Sequence, residues 1–234
     1  MKKEILQNMA SYFDHSIVKA DATKKEIIQF CEEAKKYGFA TVVIDTSYVE
    51  LVRENLKGSN VKICSNSGYP LGANTTDVKV YETRRCAEMG VDELDTVMNI
   101  GYFMDGDYDY VIADLKAIVD EFKSHGEDKV VKVIIETAII GNERIKQAVE
   151  CAVAAGADFV KTSSGYGGGG AKLEDVIAMT KAADGRIQVK ASGGIRTLED
   201  AYKYIDAGAV RLGGTGGVRI TEAANTELER NYSV

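Results

Sequence analysis

The chain has 234 residues, 45% of them hydrophobic and 28% charged, a balance that suits a soluble globular protein able to bury a large core. Its net charge of −7, with Lys and Arg mixed among acidic residues, excludes a basic nucleic-acid surface and a binder of anionic membranes. Its four cysteines form no CxxC and no disulfide framework, and its two histidines lie far apart, so free thiols in a reducing cytoplasm are expected and a histidine zinc site is not.

The first residues, 1–5, lack the apolar core of a signal peptide, and no run is long enough to span a membrane. A short helix over about Lys3–Ser11 leads into a strand over Tyr12–Ile17. Asp21-Ala22-Thr23 offers caps for a helix that ends at Tyr37, with Gly38 as its stop. The β-branched run Thr41–Asp45 predicts strand two; a helix over Tyr48–Leu56 and strand three over Val61–Ser65 follow. Gly68-Tyr69-Pro70-Leu71-Gly72 is a turn holding the one proline. Next come a helix over Thr76–Met89, strand four over Glu93–Ile100, a helix over Tyr108–Ser124 and strand five over Lys129–Glu136. A helix over Glu143–Ala155 precedes strand six, Asp158–Ser163. A helix over Leu173–Ala183 precedes strand seven, Arg186–Ala191, and a helix over Leu198–Ala207 precedes strand eight, Val210–Gly213. A last helix starts near Ile220, and the residues after Thr221 read as a polar tail.

The joint helix, glycine, strand recurs at Gly38, Gly90, Gly156 and Gly208. Eight strands alternating with helices over this length predict a single domain over residues 1–234, an α/β protein built as a (β/α)8 TIM barrel with a short N-terminal helix. The rival, an open doubly wound sheet, lacks the G-x-G-x-x-G expected after its first strand.

Three lysines fall in strand segments at one interval of 29 residues: Lys132, Lys161 and Lys190. Strand alternation turns Lys132 inward with Ile134 and Glu136, Lys161 with Phe159 and Ser163, Lys190 with Gln188 and Ser192, and Asp95 with Val97 and Asn99. The apolar residues then fall mostly on the helix side. The equal interval places the lysines on neighbouring strands at similar depth. Bringing a lysine from a pKa of about 10.4 to about 7 takes roughly 4–5 kcal/mol. A second ammonium at about 7 Å supplies roughly 2.4 kcal/mol at an effective dielectric of about 20, and desolvation supplies the rest. Lys161, with a cation expected on each side, should be the most depressed and so the nucleophile. The competing arrangement pairs the lysines with inward carboxylates such as Asp95 and Glu136 and does no chemistry.

Glycine-rich loops follow strands six, seven and eight: Ser163–Gly170, Ser192-Gly193-Gly194 and Gly213–Gly217. Glycine lets backbone N–H groups converge on an anion, and the loops after strands seven and eight are the usual phosphate site of such a barrel. A phosphorylated small molecule is therefore the expected substrate.

At these residues the sequence resembles the deoxyribose-phosphate aldolases, a family of class I aldolases, from about Phe13 to Ile220. The resemblance rests on Asp14-His15, Gly72–Thr76, Asp92–Asp95, Lys132–Thr137, Ala157–Ser163 and Lys190–Thr197. It implies that Lys161 forms the Schiff base, that Lys190 lowers its pKa, and that Asp95 and Lys132 form a proton relay working through water. It implies that Ser164, Gly165, Gly193, Gly194, Gly214, Thr215 and Gly216 hold the phosphorylated substrate, with Asp14 among the substrate-binding residues. The implied reaction is the reversible cleavage of 2-deoxy-D-ribose 5-phosphate to acetaldehyde and D-glyceraldehyde 3-phosphate, an aldehyde-lyase reaction needing no metal or organic cofactor. Members of the family often form homodimers. The sequence departs from the family pattern at Ser16, Ala20, Val43, Asp45, Thr46, Tyr166, Thr215 and Gly216, all around the acceptor aldehyde and its phosphate. A class I aldolase acting on another aldehyde or sugar phosphate is the nearest alternative; a non-catalytic sugar-phosphate-binding barrel and a metal-dependent aldolase are the others.

Overall fold

In a computed structural model, which describes residues 2–232, eight strands pair in sequence order, each parallel to the next, and the eighth closes on the first. They are β1 (Phe13–Ile17), β2 (Thr41–Ile44), β3 (Lys62–Ser67), β4 (Glu93–Val97), β5 (Val130–Ile134), β6 (Phe159–Lys161), β7 (Gln188–Ser192) and β8 (Arg211–Gly214). The helices are α1 (Lys2–Gln7), α2 (Lys24–Tyr37), α3 (Val49–Leu56), α4 (Thr76–Glu88), α5 (Ile100–Met104), α6 (Tyr108–Lys123), α7 (Thr137–Ile140), α8 (Ile145–Ala154), α9 (Leu173–Ala183), α10 (Leu198–Asp206) and α11 (Gly217–Tyr232). This is the (β/α)8 barrel that the alternation of elements predicts, and not the open sheet.

Local chemistry explains the element boundaries. Thr23 accepts from the backbone N–H of Glu26 while the Glu26 carboxylate accepts from that of Thr23, a capping box that starts α2. Thr197 and Asp200 start α10 in the same way. β4 stops at Val97, short of the expected Ile100, because Asn99 caps the short helix α5 by accepting from Tyr102 N–H at 3.3 Å. The largest difference is α11. It begins at Gly217, three residues ahead of Ile220, and it runs through the stretch read as a polar tail. Its buried contacts are few and spaced by a turn, Ile220 and Ala224, with Leu228 half-buried beyond them. That is too sparse to stand out as a periodic pattern.

The apolar core is the annulus between sheet and helices. Val42, Ile44, Leu94, Val131, Val133, Val160 and Leu212 point outward into it and meet helical stripes such as Ile27, Cys31 and Ala34 of α2 and Leu115, Ile118 and Phe122 of α6. The barrel interior is different. A (β/α)8 barrel is usually filled by branched apolar side chains, but here Asp14, Glu93, Asp95, Lys132, Lys161 and Lys190 are all buried within it.

The β3–α4 turn is fixed by backbone contact. Gly72 has φ of 70°, and a Cβ there would lie 2.2 Å from the Met98 carbonyl oxygen. Gly72→Ala therefore combines a left-handed backbone with a clash against main chain that cannot rotate away. It should cost about 2–4 kcal/mol. A thermal melt should show Tm lower by roughly 5–12 °C for a chain of this size; an unchanged Tm would mean that the turn is free to move.

Candidate active site

β4, β6 and β7 deliver the central groups by simple alternation: Asp95, Lys161 and Lys190 all point inward. Lys161 Nζ donates to Asp95 Oδ2 at 2.6 Å, and Lys190 Nζ donates to the same oxygen at 3.0 Å. Lys132 Nζ reaches the other oxygen, Oδ1, at 2.9 Å. One carboxylate thus gathers all three lysines of the 29-residue repeat. Asp14 sits beneath, 2.5 Å from Lys190 Nζ and 3.8 Å from Lys132 Nζ.

The expected equal depth holds for two of the three lysines. Lys161 stands opposite Lys190 across β6 and β7, but opposite Ile134 across β5 and β6. Lys132 is opposite Phe159 instead, one inward position lower. Lys161 therefore has one ammonium in register, Lys190, and not one on each side. Glu136, expected as a possible partner for the lysines, pairs with none of them. Its carboxylate accepts from the Ser164 backbone N–H at 3.1 Å and from the Ser164 hydroxyl, and so fixes the loop after β6.

The electrostatics separate the lysines. Burial pushes Lys161 below the usual lysine range; Asp95 opposes this and Lys190 reinforces it. Burial works against charge on Lys190 and Lys132 too, but there the carboxylates win. Asp14 and Asp95 hold Lys190 above its ordinary value. Asp95, Glu93 and Asp14 are the carboxylates that hold Lys132 well above it. Burial also works to raise Asp95, and the three lysines outweigh it and keep it ionised. Lys161 is the one lysine of the three that is lowered, and it is also the one that lines the cavity.

That cavity, of 570 Å³, opens at the C-terminal ends of the strands. Asp95, Lys161, Ser163, Ser164, Gly165, Gly193, Gly194, Gly214 and Thr215 line it. Gly193, with φ of 86°, must be glycine for a second reason: its Cβ would lie 2.9 Å from the Gly170 Cα, so the loops after β6 and β7 touch backbone to backbone. α11 begins two residues beyond Thr215. Gly216 faces a neighbouring depression with Arg219 and Glu222. Lys132, Lys190 and Asp14 do not line the cavity; they form the charged layer under it. Asp14, expected among the substrate contacts, is fully buried, accepts from Thr41 Oγ1 at 2.8 Å and does not line the cavity.

Other lining residues carry no single strong sequence signal. Arg196, which forms no ion pair among the described residues, and Lys19, held 2.7 Å from Glu26, bring positive charge to the mouth. Tyr69 donates to the Ser164 carbonyl at 2.7 Å, and Tyr166 donates to the Val18 carbonyl at 2.7 Å. The two rings meet edge to face at 5.8 Å and narrow the entrance. Ser163 Oγ is buried without a hydrogen-bond partner among the described residues. Of the departures, Ser16, Val43, Tyr166 and Thr215 lie on the cavity wall, whereas Ala20, Asp45, Thr46 and Gly216 do not. Tyr232 does not line the cavity; its ring lies 5.5 Å from Lys3 Nζ on α1. Among the described residues no group of three or more His, Cys, Asp or Glu side chains is placed to hold a metal ion, and no helix is long and apolar enough to cross a membrane.

Comparison with known proteins gives a consistent picture. A family model described as DeoC/LacD family aldolase matches residues 8–220. A deoxyribose-phosphate aldolase from Caldanaerobacter subterraneus subsp. tengcongensis is 49% identical over 94% of this chain and 95% of its own length. A deoxyribose-phosphate aldolase from Thermococcus gammatolerans is also 49% identical, over 93% of this chain and 96% of its own. Among solved structures, the tetrameric deoxyribose phosphate aldolase of Aeropyrum pernix superposes with a TM-score of 0.87 at 31% identity, covering 95% of this chain and 93% of that one.

Proposed function

The chain belongs to the DeoC/LacD family of aldolases, and from that membership and the charged barrel we propose that it is a class I aldolase that cleaves 2-deoxy-D-ribose 5-phosphate reversibly to acetaldehyde and D-glyceraldehyde 3-phosphate. The observation that carries the reading is Lys161: a lysine of reduced basicity on the wall of the cavity, in contact with a carboxylate that two further ammonium groups keep ionised.

In the synthetic direction the Lys161 amine adds to the acetaldehyde carbonyl, and loss of water leaves a protonated imine. A proton leaves the methyl carbon, and the electron pair shifts to form an enamine. The enamine carbon attacks the aldehyde of glyceraldehyde 3-phosphate, whose oxygen takes up a proton. Water then frees the product and regenerates the amine. Among the described residues Asp95 is the one carboxylate that both touches Lys161 and reaches the cavity, so it is the proposed proton acceptor. Lys190 keeps the ammonium form of Lys161 unfavourable. Lys132 is fully buried behind Asp95 and acts by holding it, which makes it a positioning residue in place of a direct member of the relay. The loops carrying Ser164, Gly165, Gly193, Gly194, Gly214 and Thr215 would cradle the phosphate, with Gly216 helping to shape the last loop, and the Ser163 hydroxyl is free for a substrate hydroxyl.

Cytoplasmic location is part of the proposal, supported by four buried unpaired cysteines. A homodimer is the expected assembly, to be read by sedimentation equilibrium.

The test is borohydride trapping. The protein is incubated with acetaldehyde and reduced, and the added ethyl group is located by peptide mass spectrometry, beside an assay for acetaldehyde released from 2-deoxyribose 5-phosphate. An adduct on Lys161 with release of acetaldehyde is the expected result. An adduct without cleavage of that sugar would favour a different acceptor, as the wall residues Val43 and Tyr166 permit. Folded protein with no adduct would leave a phosphate-binding barrel.

A further inference from the structure

The barrel floor, at the end opposite the cavity, holds an ion pair that the mechanism above does not use. Arg211 Nη1 lies 3.0 Å from Glu93 Oε2 and 2.6 Å from Asp14 Oδ1. Glu93 Oε2 in turn lies 2.8 Å from Lys132 Nζ. These contacts continue without a break into the layer above, from Asp14 to Lys190 and from Lys132 to Asp95, and from Asp95 to Lys161. Arg211 lines a separate floor cavity of 550 Å³ with Glu93, Lys35 and Lys62, and no part of it reaches the upper one.

The network holds three carboxylates, Asp14, Glu93 and Asp95, against four cationic side chains, Lys132, Lys161, Lys190 and Arg211. Fully ionised, it would carry one buried positive charge in excess, which is costly. It becomes neutral when one amine gives up its proton. Arg211 cannot do so, because a guanidinium stays charged in proteins. Lys132 pairs with three carboxylates and Lys190 with two, whereas Lys161, among the described residues, pairs only with Asp95. We infer that Arg211, remote from the substrate, is a positioning residue that sets the charge balance of the barrel and so makes Lys161 its one free amine. The inference rests on the proposal that Lys161 is the nucleophile.

The groups facing these two residues are few. Lys161 faces Asp95 from β4, Lys190 from β7 and the neutral Cys64 thiol from β3. Arg211 faces Asp14 from β1, Glu93 from β4 and the Phe159 ring of β6 at 5.3 Å, with Lys35 of α2 and Lys62 of β3 on the rim of the floor cavity. Lys161, Lys190 and Arg211 stand in register across β6, β7 and β8, which sets Arg211 about 10 Å from Lys161. Removing a unit charge at that distance, at an effective dielectric of about 20, moves a titration by about one pH unit. The sign is fixed: without Arg211 the Lys161 ammonium is better tolerated, its pKa rises, and a higher pH is needed to free the amine.

The test is the pH profile of kcat/KM for aldol cleavage in the full chain, with borohydride trapping on wild type as the reference. Arg211→Gln should shift the acid limb up by about one unit, which is about a tenfold loss well below that limb. Arg211→Lys should leave it within a few tenths, and Arg211→Gln/Glu93→Gln should bring it back toward wild type. An unshifted limb in Arg211→Gln, or an equal shift in Arg211→Lys, overturns the inference. Should Arg211→Gln fail to fold, Glu93→Gln decides: a downward shift supports the inference and an upward or absent shift overturns it. If wild type forms no adduct at Lys161, the proposed chemistry has failed, a result distinct from any in the variants.

Discussion

Lys161→Met is expected to lower kcat for aldol cleavage by at least about 10⁵-fold, the scale of effective molarity that a positioned nucleophile supplies. It is also expected to abolish the borohydride-trapped ethyl adduct. The reason is specific to this position. Lys132 and Lys190 are fully buried, and neither lines the cavity, so no other lysine of the cluster can meet an aldehyde there. Lys19 reaches the mouth, but it is committed to Glu26 at 2.7 Å and lies in water, where its ammonium form is favoured. The fold should survive the change. Asp95 keeps Lys132 and Lys190 as partners, and a methionine of similar length replaces an amine whose burial is unfavourable. A melt within a few degrees of wild type, with activity gone, is the expected pair of observations. Residual activity above about 1% of wild type would be too much for a missing nucleophile, and would move the Schiff base to another amine.

Much of the barrel and the chemical type of its interior is legible in the sequence, because both depend on periods that a linear chain displays. Helix-stop glycines and two-residue alternation locate the strands and turn Asp95, Lys161 and Lys190 inward. What the chain does not display is the level of each residue inside the barrel. A closed barrel staggers its strands, and the offset between one strand and the next is not written in either strand alone. The interval of 29 residues brings Lys161 opposite Lys190, yet the same interval puts Lys132 one inward position lower, opposite Phe159. The Asp14 motif likewise shows no level; the structure puts Asp14 beneath the lysines. Glu93 and Arg211 obey the same alternation as Asp95 and Lys190, and extending that pattern by two residues on β4, and applying it to β8, would have found them. Tyr69 lies in a turn and Tyr166 in an irregular loop, where no period operates, and the closed barrel brings them edge to face at 5.8 Å.

Asp95→Asn should separate imine formation from turnover. The amide cannot accept the proton lost from the methyl carbon, so kcat is expected to fall by about 10²–10⁴-fold, the usual contribution of a positioned general base. Imine formation should persist and shift with pH in the opposite sense to loss of Arg211. Asp95 works to keep Lys161 protonated; without it the amine is freed at lower pH, and the acetaldehyde adduct should be trapped faster on the acid side than in wild type. Stability should also change in a defined direction. In wild type Asp95 is buried and held well below the ordinary carboxylate range by Lys132, Lys161 and Lys190. Its contribution is therefore complete above the unfolded-state pKa of about 4 and is lost as pH falls toward the folded one. In Asp95→Asn that contribution is missing at every pH, and three lysines are left with Asp14 and Glu93 alone. Breaking a buried ion pair in this way costs about 3–5 kcal/mol, less whatever is regained when an amine gives up its proton. The deficit should therefore be smaller at high pH, where deprotonation is easy, than at pH 6. A variant that turns over normally, or that forms no imine at any pH, would remove Asp95 from the role of proton acceptor.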